Sequence, residues 1–229
     1  MARSKWKTSY KAFQRFRARY KSFLRSFPEV EIDMSTIYLF RHGITEGNKR
    51  RLYYGSTDLP LVEEGIEAIK ERRNAGLYPN IDGFRVITTD LRRTEQTLFE
   101  MYGEIEHETD PRMREFSFGD FEMLGYEELK DREDYQAWIT GDNWRNICPN
   151  GESGEIMLLR SLEAMKDYIG SDCFIVCHGG VIAGLMLTWF PGDETAEHFY
   201  AWQPKPCEGY KITFDDDLKP VSYEKIALE

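Results

Sequence analysis

The stretch TIYLFRHGITEGN, residues 36–48, sets the problem. Thr36–Phe40 is a short apolar run of β-favouring residues, and it delivers Arg41, His42 and Gly43 directly at its end. Thr45 and Asn48 follow within one helical turn. An imidazole in that place could be a metal ligand, a packed core side chain or a nucleophile. The rest of the chain has to choose between them.

The same arrangement recurs twice. RVIT (85–88) is followed by Thr89-Asp90-Leu91-Arg92-Arg93, and CFIVC (173–177) by His178-Gly179-Gly180. Helical patterns separate these strands: Glu63–Gly76, Leu91–Tyr102, Ser153–Ile169 and Val181–Trp189. Gly209–Phe214 and Val221–Ile226 read as late, edge-type strands. Strands alternating with helices predict an α/β fold, a mostly parallel central sheet with helices on both faces. In such sheets ligands sit beyond the carboxyl ends of the strands, so the three polar motifs should meet in one crevice. Residues 119–150 fit the alternation poorly and are rich in aromatic and charged residues, among them Tyr126, Tyr135, Trp138, Trp144 and Arg145. They are expected to form a helical insertion over the active site.

Composition limits what the crevice can hold. The chain has 229 residues and four histidines, and its four cysteines (Cys148, Cys173, Cys177, Cys207) show no metal-type spacing. Cys173 and Cys177 would share one face of a strand and read as small core residues, which suits a reduced, cytoplasmic setting. No bound metal and no cofactor are expected. Two histidines flanked by Arg41 and Arg93 make a poor cation site and a good anion site, because guanidinium forks match tetrahedral oxyanions. Glycines at 43, 179 and 180 let backbone N–H groups approach an anion closely. Phosphate is the expected ligand. A neutral imidazole facing a clamped phosphoryl group can attack phosphorus, and a carboxyl group must then protonate the leaving oxygen. MREFSFGDFE (113–122) offers Glu115, Asp120 and Glu122, and residue type alone does not choose among them.

Charge is unevenly placed. Residues 1–33 carry nine Lys/Arg and three Asp/Glu, a balance of +6, which leaves −16 on residues 34–229 against −10 overall. An acidic body argues against nucleic acid as a partner of the core, and no apolar run is long enough to span a bilayer. In residues 1–27, Trp6, Tyr10, Phe13, Phe16, Tyr20, Phe23 and Phe27 recur at helical spacing among basic residues. Residues 1–33 are therefore set apart as a basic amphipathic extension, preceding a single domain over 34–229. The extension is read either as native, or as translation from a start upstream of a true start at Met34. A GTG-GAG coding of Val30-Glu31 would supply a ribosome-binding sequence for that second start.

Six pieces in order, RHGITEGN, YYGSTDLPLVEEG, TTDLRRTEQT, MREFSFGDFE, PNGES and CHGG, resemble the histidine phosphatase superfamily in its phosphoglycerate mutase-like branch. The resemblance implies His42 as the phosphorylated nucleophile. It implies Arg41, Arg93 and His178 as phosphoryl ligands, with Asn48 adding a hydrogen bond, and Glu115 as the proton donor. Thr45, Tyr54 and Gly55 would touch the substrate, and the backbone of Gly179 would help at the phosphate. Arg93 is preferred to Arg92 by the family's spacing. Ile44 and Met123 depart from residues common in the family, which touches substrate identity rather than chemistry. YGSTDLPL, the 119–139 segment and FYAWQPKPCEGY look like the α-ribazole phosphatase-like group, which serves cobalamin assembly. The implied function is hydrolysis of a small phosphomonoester through a phosphohistidine. The alternatives are a phosphoglycerate mutase, or a non-catalytic phosphate-binding protein on the same fold.

Overall fold

A computed structural model describes residues 34–142, 144–193 and 198–227. The amphipathic stripe read in residues 1–33 lies outside them. Strands β1 (Ser35–Arg41), β3 (Arg85–Thr88), β4 (Glu108–Thr109), β6 (Cys173–Cys177), β7 (Gly209–Phe214) and β8 (Pro220–Ile226) form one sheet in the order β4-β3-β6-β1-β7-β8. The pairs β4-β3, β3-β6 and β6-β1 are parallel, and β1-β7 and β7-β8 are antiparallel. A two-stranded ribbon, β2 (Leu52–Tyr53) with β5 (Leu124–Gly125), stands apart.

Period-two alternation sorts the side chains of each inner strand between two cores. From β1, Ile37 and Leu39 face one cluster, and Tyr38 and Phe40 the other. From β6, Cys173, Ile175 and Cys177 join the first and Phe174 and Val176 the second, so the two cysteines do share a face. Helices α2 (Glu63–Asn74) and α3 (Arg92–Tyr102) cover the second face through Ile69, Leu98 and Met101. Helices α6 (Gly154–Met165) and α7 (Gly179–Trp189) cover the first. All eleven residues of α7 are buried. That explains its lack of a polar face: it is wrapped on every side. The Ser153 hydroxyl caps α6 by accepting from Ile156 N–H.

Gly209–Phe214 is not an edge strand. β7 is inserted between β1 and β8, and its residues alternate between buried and half-buried, whereas β8 is mostly exposed and forms the edge. The two strands look alike in sequence, and only the antiparallel return of the chain beside β1 buries one of them. The 119–150 segment holds the β5 strand and two short helices, α4 (Tyr126–Leu129) and α5 (Glu133–Ile139).

The topology positions the site. β6 lies between β3 and β1, and Arg41 is in register with Cys177. Two parallel neighbours therefore release His42 and His178 at the same level, with Thr89 leaving β3 alongside.

Candidate active site

The His42 and His178 rings lie 5.2 Å apart between centroids, in an edge-to-face arrangement. Both are buried. His42 Nδ1 is 2.7 Å from the Gly43 carbonyl, which can only accept, so Nδ1 carries the proton and Nε2 keeps its lone pair. Gly43 is itself fixed, because its N–H donates to Thr97 Oγ1 at 2.9 Å and that hydroxyl donates to Arg93 O. Desolvation holds His42 well below the ordinary imidazole value, and the charges of Arg93 and Arg41 add to the effect. The ring is neutral and its free nitrogen is nucleophilic.

Arg93 is fully buried in the first turn of α3. Its Nη1 donates to Thr57 O at 2.9 Å and its Nη2 to Gly55 O at 2.6 Å, and it packs over the Tyr54 ring at 5.2 Å. Arg41 Nη1 donates to Pro204 O at 2.9 Å. The Nε atoms of both guanidiniums are buried and unpartnered. Burial pulls both below the ordinary arginine value, while Glu115 and Tyr54 act in the opposite direction. Two desolvated cations beside a neutral histidine make a seat for an anion.

Glu115 is the candidate carboxyl group that the fold brings here. Its Oε2 accepts from Gly180 N at 2.9 Å and its Oε1 from Phe116 N at 3.0 Å. A Cβ at position 180 would come 2.3 Å from Oε1, so the glycine makes room for the acid. Arg160 of α6 clamps the backbone below it, donating to the carbonyls of Arg112, Arg114 and Glu115 and to Glu152. Asp120 is exposed and accepts from Asn150. Glu122 accepts from the N–H groups of Gly55, Ser56, Thr57 and Phe118 and from the Thr57 hydroxyl. Burial would raise its pKa, but these bonds outweigh burial and lower it. It is an ionised staple rather than a proton donor.

Asn48 Oδ1 accepts from the Thr45 N–H and hydroxyl, both at 3.1 Å, and its NH₂ is left for the cavity it lines. Thr45 is fully buried and does not line the cavity; it caps the short helix α1 (Glu46–Lys49) and meets Tyr54 Oη at 2.6 Å. Gly55 is likewise off the cavity wall. A Cβ there would come 1.7 Å from Phe116 O, so the glycine serves a close backbone crossing. Of Thr45, Tyr54 and Gly55, the residues expected to touch the substrate, Tyr54 lines the cavity and the other two do not. A Cβ on Gly179 would meet Gln203 and Arg41, so that glycine serves a close approach beside the Arg41 guanidinium.

The cavity, about 510 Å³, has two ends. Arg41, His42, Arg93, Asn48 and Glu115 form one. Tyr53, Phe116, Phe118, Tyr126, Tyr135, Trp138, Trp144, Phe199 and Tyr200 surround the other, and among the described residues no lysine lines either. The 119–150 segment is thus a pocket wall, as its composition suggests. Sequence reading missed Tyr53, Phe116, Phe118 and Gln203 as wall residues. The density of aromatics in FSF (116–118), unusual beside a proposed acid, was the available signal for two of them. Among the described residues no cluster of three His, Cys, Asp or Glu could hold a metal ion, and no helix is long and apolar enough to cross a membrane.

Comparison with known proteins agrees with this geometry. The chain is 33% identical over 159 residues to the adenosylcobalamin/alpha-ribazole phosphatase of Salmonella typhimurium, covering 66% of this chain and 77% of that protein. It is 32% identical over 168 residues to a protein of Yersinia pestis named "Probable phosphoglycerate mutase GpmB", covering 68% and 74%. Among solved structures, the alpha-ribazole phosphatase of Shigella flexneri superposes with a TM-score of 0.71 at 24% identity, over 84% of this chain and 96% of that one. A phosphoglycerate mutase of Thermus thermophilus gives 0.63 at 22% identity, over 85% and 99%. The model of the histidine phosphatase superfamily (branch 1) matches residues 37–223. With the paired histidines, the two arginines and the acid converging where three parallel strands end, the chain belongs to the histidine phosphatase superfamily, branch 1.

Proposed function

We propose that this chain hydrolyses a small phosphomonoester with a flat, ring-bearing body, such as α-ribazole 5'-phosphate, through a phosphohistidine at His42. The observation that carries the reading is the His42 tautomer: Nδ1–H is tied to Gly43 O, which leaves the Nε2 lone pair free, and Arg41 and Arg93 share the polar end of the aromatic cavity with it. Nε2 attacks phosphorus, the P–O(ester) bond breaks, and Glu115 gives its proton to the leaving alkoxide. Glu115, now a carboxylate, takes a proton from water as that water's oxygen attacks the phosphohistidine. The P–N bond breaks, and inorganic phosphate and the starting enzyme result. Arg41, Arg93 and the Asn48 NH₂ hold the three non-bridging oxygens while their charge redistributes. The four buried free cysteines suit a reducing, cytoplasmic setting.

Rapid-quench labelling with a ³²P-monoester should trap an acid-labile phosphohistidine in this chain and none in His42→Ala. Turnover that survives His42→Ala would end the proposal.

A mutase reading is favoured by the names of some relatives, but the cavity speaks against it. Among the described residues its cationic side chains, Arg41 and Arg93, both sit at the phosphoryl end, which leaves the carboxylate of a phosphoglycerate among aromatic rings. Phosphate release without a bisphosphoglycerate primer, and little interconversion of 2- and 3-phosphoglycerate, is the expected result of a paired assay. A purely phosphate-binding protein would show tight phosphate binding and no release from any monoester.

A further inference from the structure

The PNGES stretch (149–153) takes no part in the chemistry above, yet it grips the segment that carries Glu115. Residues 114–118 belong to no helix or strand, so their backbone groups join no ladder and need other partners. Glu152 supplies two: its N–H donates to Ser117 O at 3.0 Å, and its Oε1 accepts from Ser117 N at 2.9 Å. A Cβ at position 151 would come 2.4 Å from Ser117 O, so the glycine lets the two stretches of chain cross that closely. Ser153 caps α6, and α6 carries Arg160. Through Nη1, Arg160 donates to Arg112 O at 2.7 Å and to Arg114 O at 2.6 Å. Through Nη2 it donates to Glu115 O at 2.9 Å and to Glu152 Oε1 at 2.6 Å, and through Nε to Glu152 Oε2 at 3.2 Å. Those bonds engage the whole guanidinium fork and leave Arg160 no donor for a substrate. Neither Arg160 nor Glu152 is among the residues that line the cavity.

We infer that Arg160 and Glu152 are positioning residues for the proton donor, a clamp that holds the Glu115 backbone where its carboxyl group meets the leaving oxygen. The inference rests on the reading of Glu115 as that donor. A glutamate side chain has several torsions, and fixing one end alone leaves its carboxyl group free to swing. Here both ends are held. The carboxyl end is tied to Gly180 N–H at the start of α7 and to Phe116 N–H, and the clamp ties the backbone end to α6. Both helices pack on one face of the sheet whose strand β1 delivers His42, so acid and nucleophile share one frame. A misplacement of about 1 Å costs about 10²-fold in rate. Lysine in place of Arg160 has too few donors, and no planar fork, to serve three carbonyls and a carboxylate together. The pair is no surface bridge either. The Arg160 and Glu152 side chains are 23% and 14% exposed, so removing one strands the charge of the other.

The step such a clamp serves is proton transfer to the leaving group, so the leaving group reads it out. In the full chain, Arg160→Lys and Glu152→Gln are compared with the wild type on an alkyl phosphate, whose alkoxide needs the proton, and on p-nitrophenyl phosphate, whose phenolate does not. The quantity is kcat/KM, which reports the steps up to the phosphohistidine. Arg160→Lys should lower it by about 10²-fold on the alkyl phosphate and far less on p-nitrophenyl phosphate. Glu152→Gln keeps an oxygen for Ser117 N–H and should shift the ratio of the two substrates the same way, by less. A loss of folded protein lowers both substrates alike and leaves that ratio where it was. In a Glu115→Gln background the acid is already gone, and Arg160→Lys should then add little to the ratio.

A ratio unchanged in the clamp variants, beside a clear leaving-group effect in Glu115→Gln, overturns the inference and leaves Glu115 as the donor. So does a ratio that shifts as far in the Glu115→Gln background as in the wild type, since Arg160 would then act through another group. Should Arg160→Lys not fold, Glu152→Gln carries both comparisons. Equal losses on the two substrates in Glu115→Gln itself would instead overturn the proton-donor reading, and the role of the clamp with it.

Discussion

His42 and His178 are buried and held neutral, and a folded chain that keeps two imidazoles neutral binds fewer protons than the unfolded one. Both lie well below the ordinary value of 6.5. Their contribution to stability is therefore complete above that pH and is lost as pH falls toward their depressed values. The slope is about 1.4 kcal/mol per pH unit for each group that titrates in the unfolded chain alone. His107 runs the other way. Burial pulls it down, but bonds to Ile105 O and to Glu95 carry it above 6.5, so its stabilisation is present at low pH and fades as pH rises. Urea unfolding of phosphate-free protein should show stability falling from pH 6.5 to 5; a flat profile would mean the paired imidazoles are not neutral. Glu115 is tested by leaving group. Glu115→Gln should slow alkyl phosphates by about 10²- to 10⁴-fold and p-nitrophenyl phosphate far less. Equal losses on both would remove the proton-donor role.

Between β2 and α2, the loop at 55–57 is gripped from both sides. Glu122 takes its N–H groups and Arg93 its carbonyls. This is how a carboxylate in the insertion sets the position of a guanidinium at the phosphoryl seat. Glu122→Gln leaves some of those donors facing an amide NH₂, at a cost of about 1–3 kcal/mol. Beyond the stability loss, KM for a monoester should rise several-fold while the phosphoenzyme still forms. A loss of stability with unchanged KM would show that Arg93 keeps its place without the loop. Residue type alone leaves Glu122 a rival acid because it sits in the same ten-residue piece as Glu115, and the family resemblance is what prefers Glu115. The fold gives the physical difference between them: one acid faces a helix N-terminus at Gly180, and the other is consumed by five donors.

Among the described residues, two cores, the sheet and the site residues named above are found within 34–227. A chain beginning at Met34 should fold and keep kcat. Failure to fold would show that the aromatic stripe of residues 1–33 is needed by the body, and a fall in kcat alone would tie that stripe to the site.

Local sequence determined a good deal here. Strand and helix existence followed from periodicity, because five-residue apolar runs between capped amphipathic helices have few other solutions. The candidate set was legible because each member stands directly after a strand or within a piece that resembles the family, and the fold brings His42, Arg41, Arg93, Asn48 and Glu115 to one cavity. Tertiary structure alone decided which residues share the cavity. Thr45 and Gly55 stand in the same motifs as Asn48 and Tyr54, yet a helix cap holds the one and a backbone crossing the other off the cavity wall. Aromatics from three separated segments close one wall. The His42 tautomer is set by the carbonyl of the next residue, whereas the hydroxyl that His178 Nε2 meets, that of Thr89, is 89 positions away in the chain. A hydrogen-bond partner at that second distance is a product of strand order, β6 inserted between β3 and β1, and no local pattern encodes it.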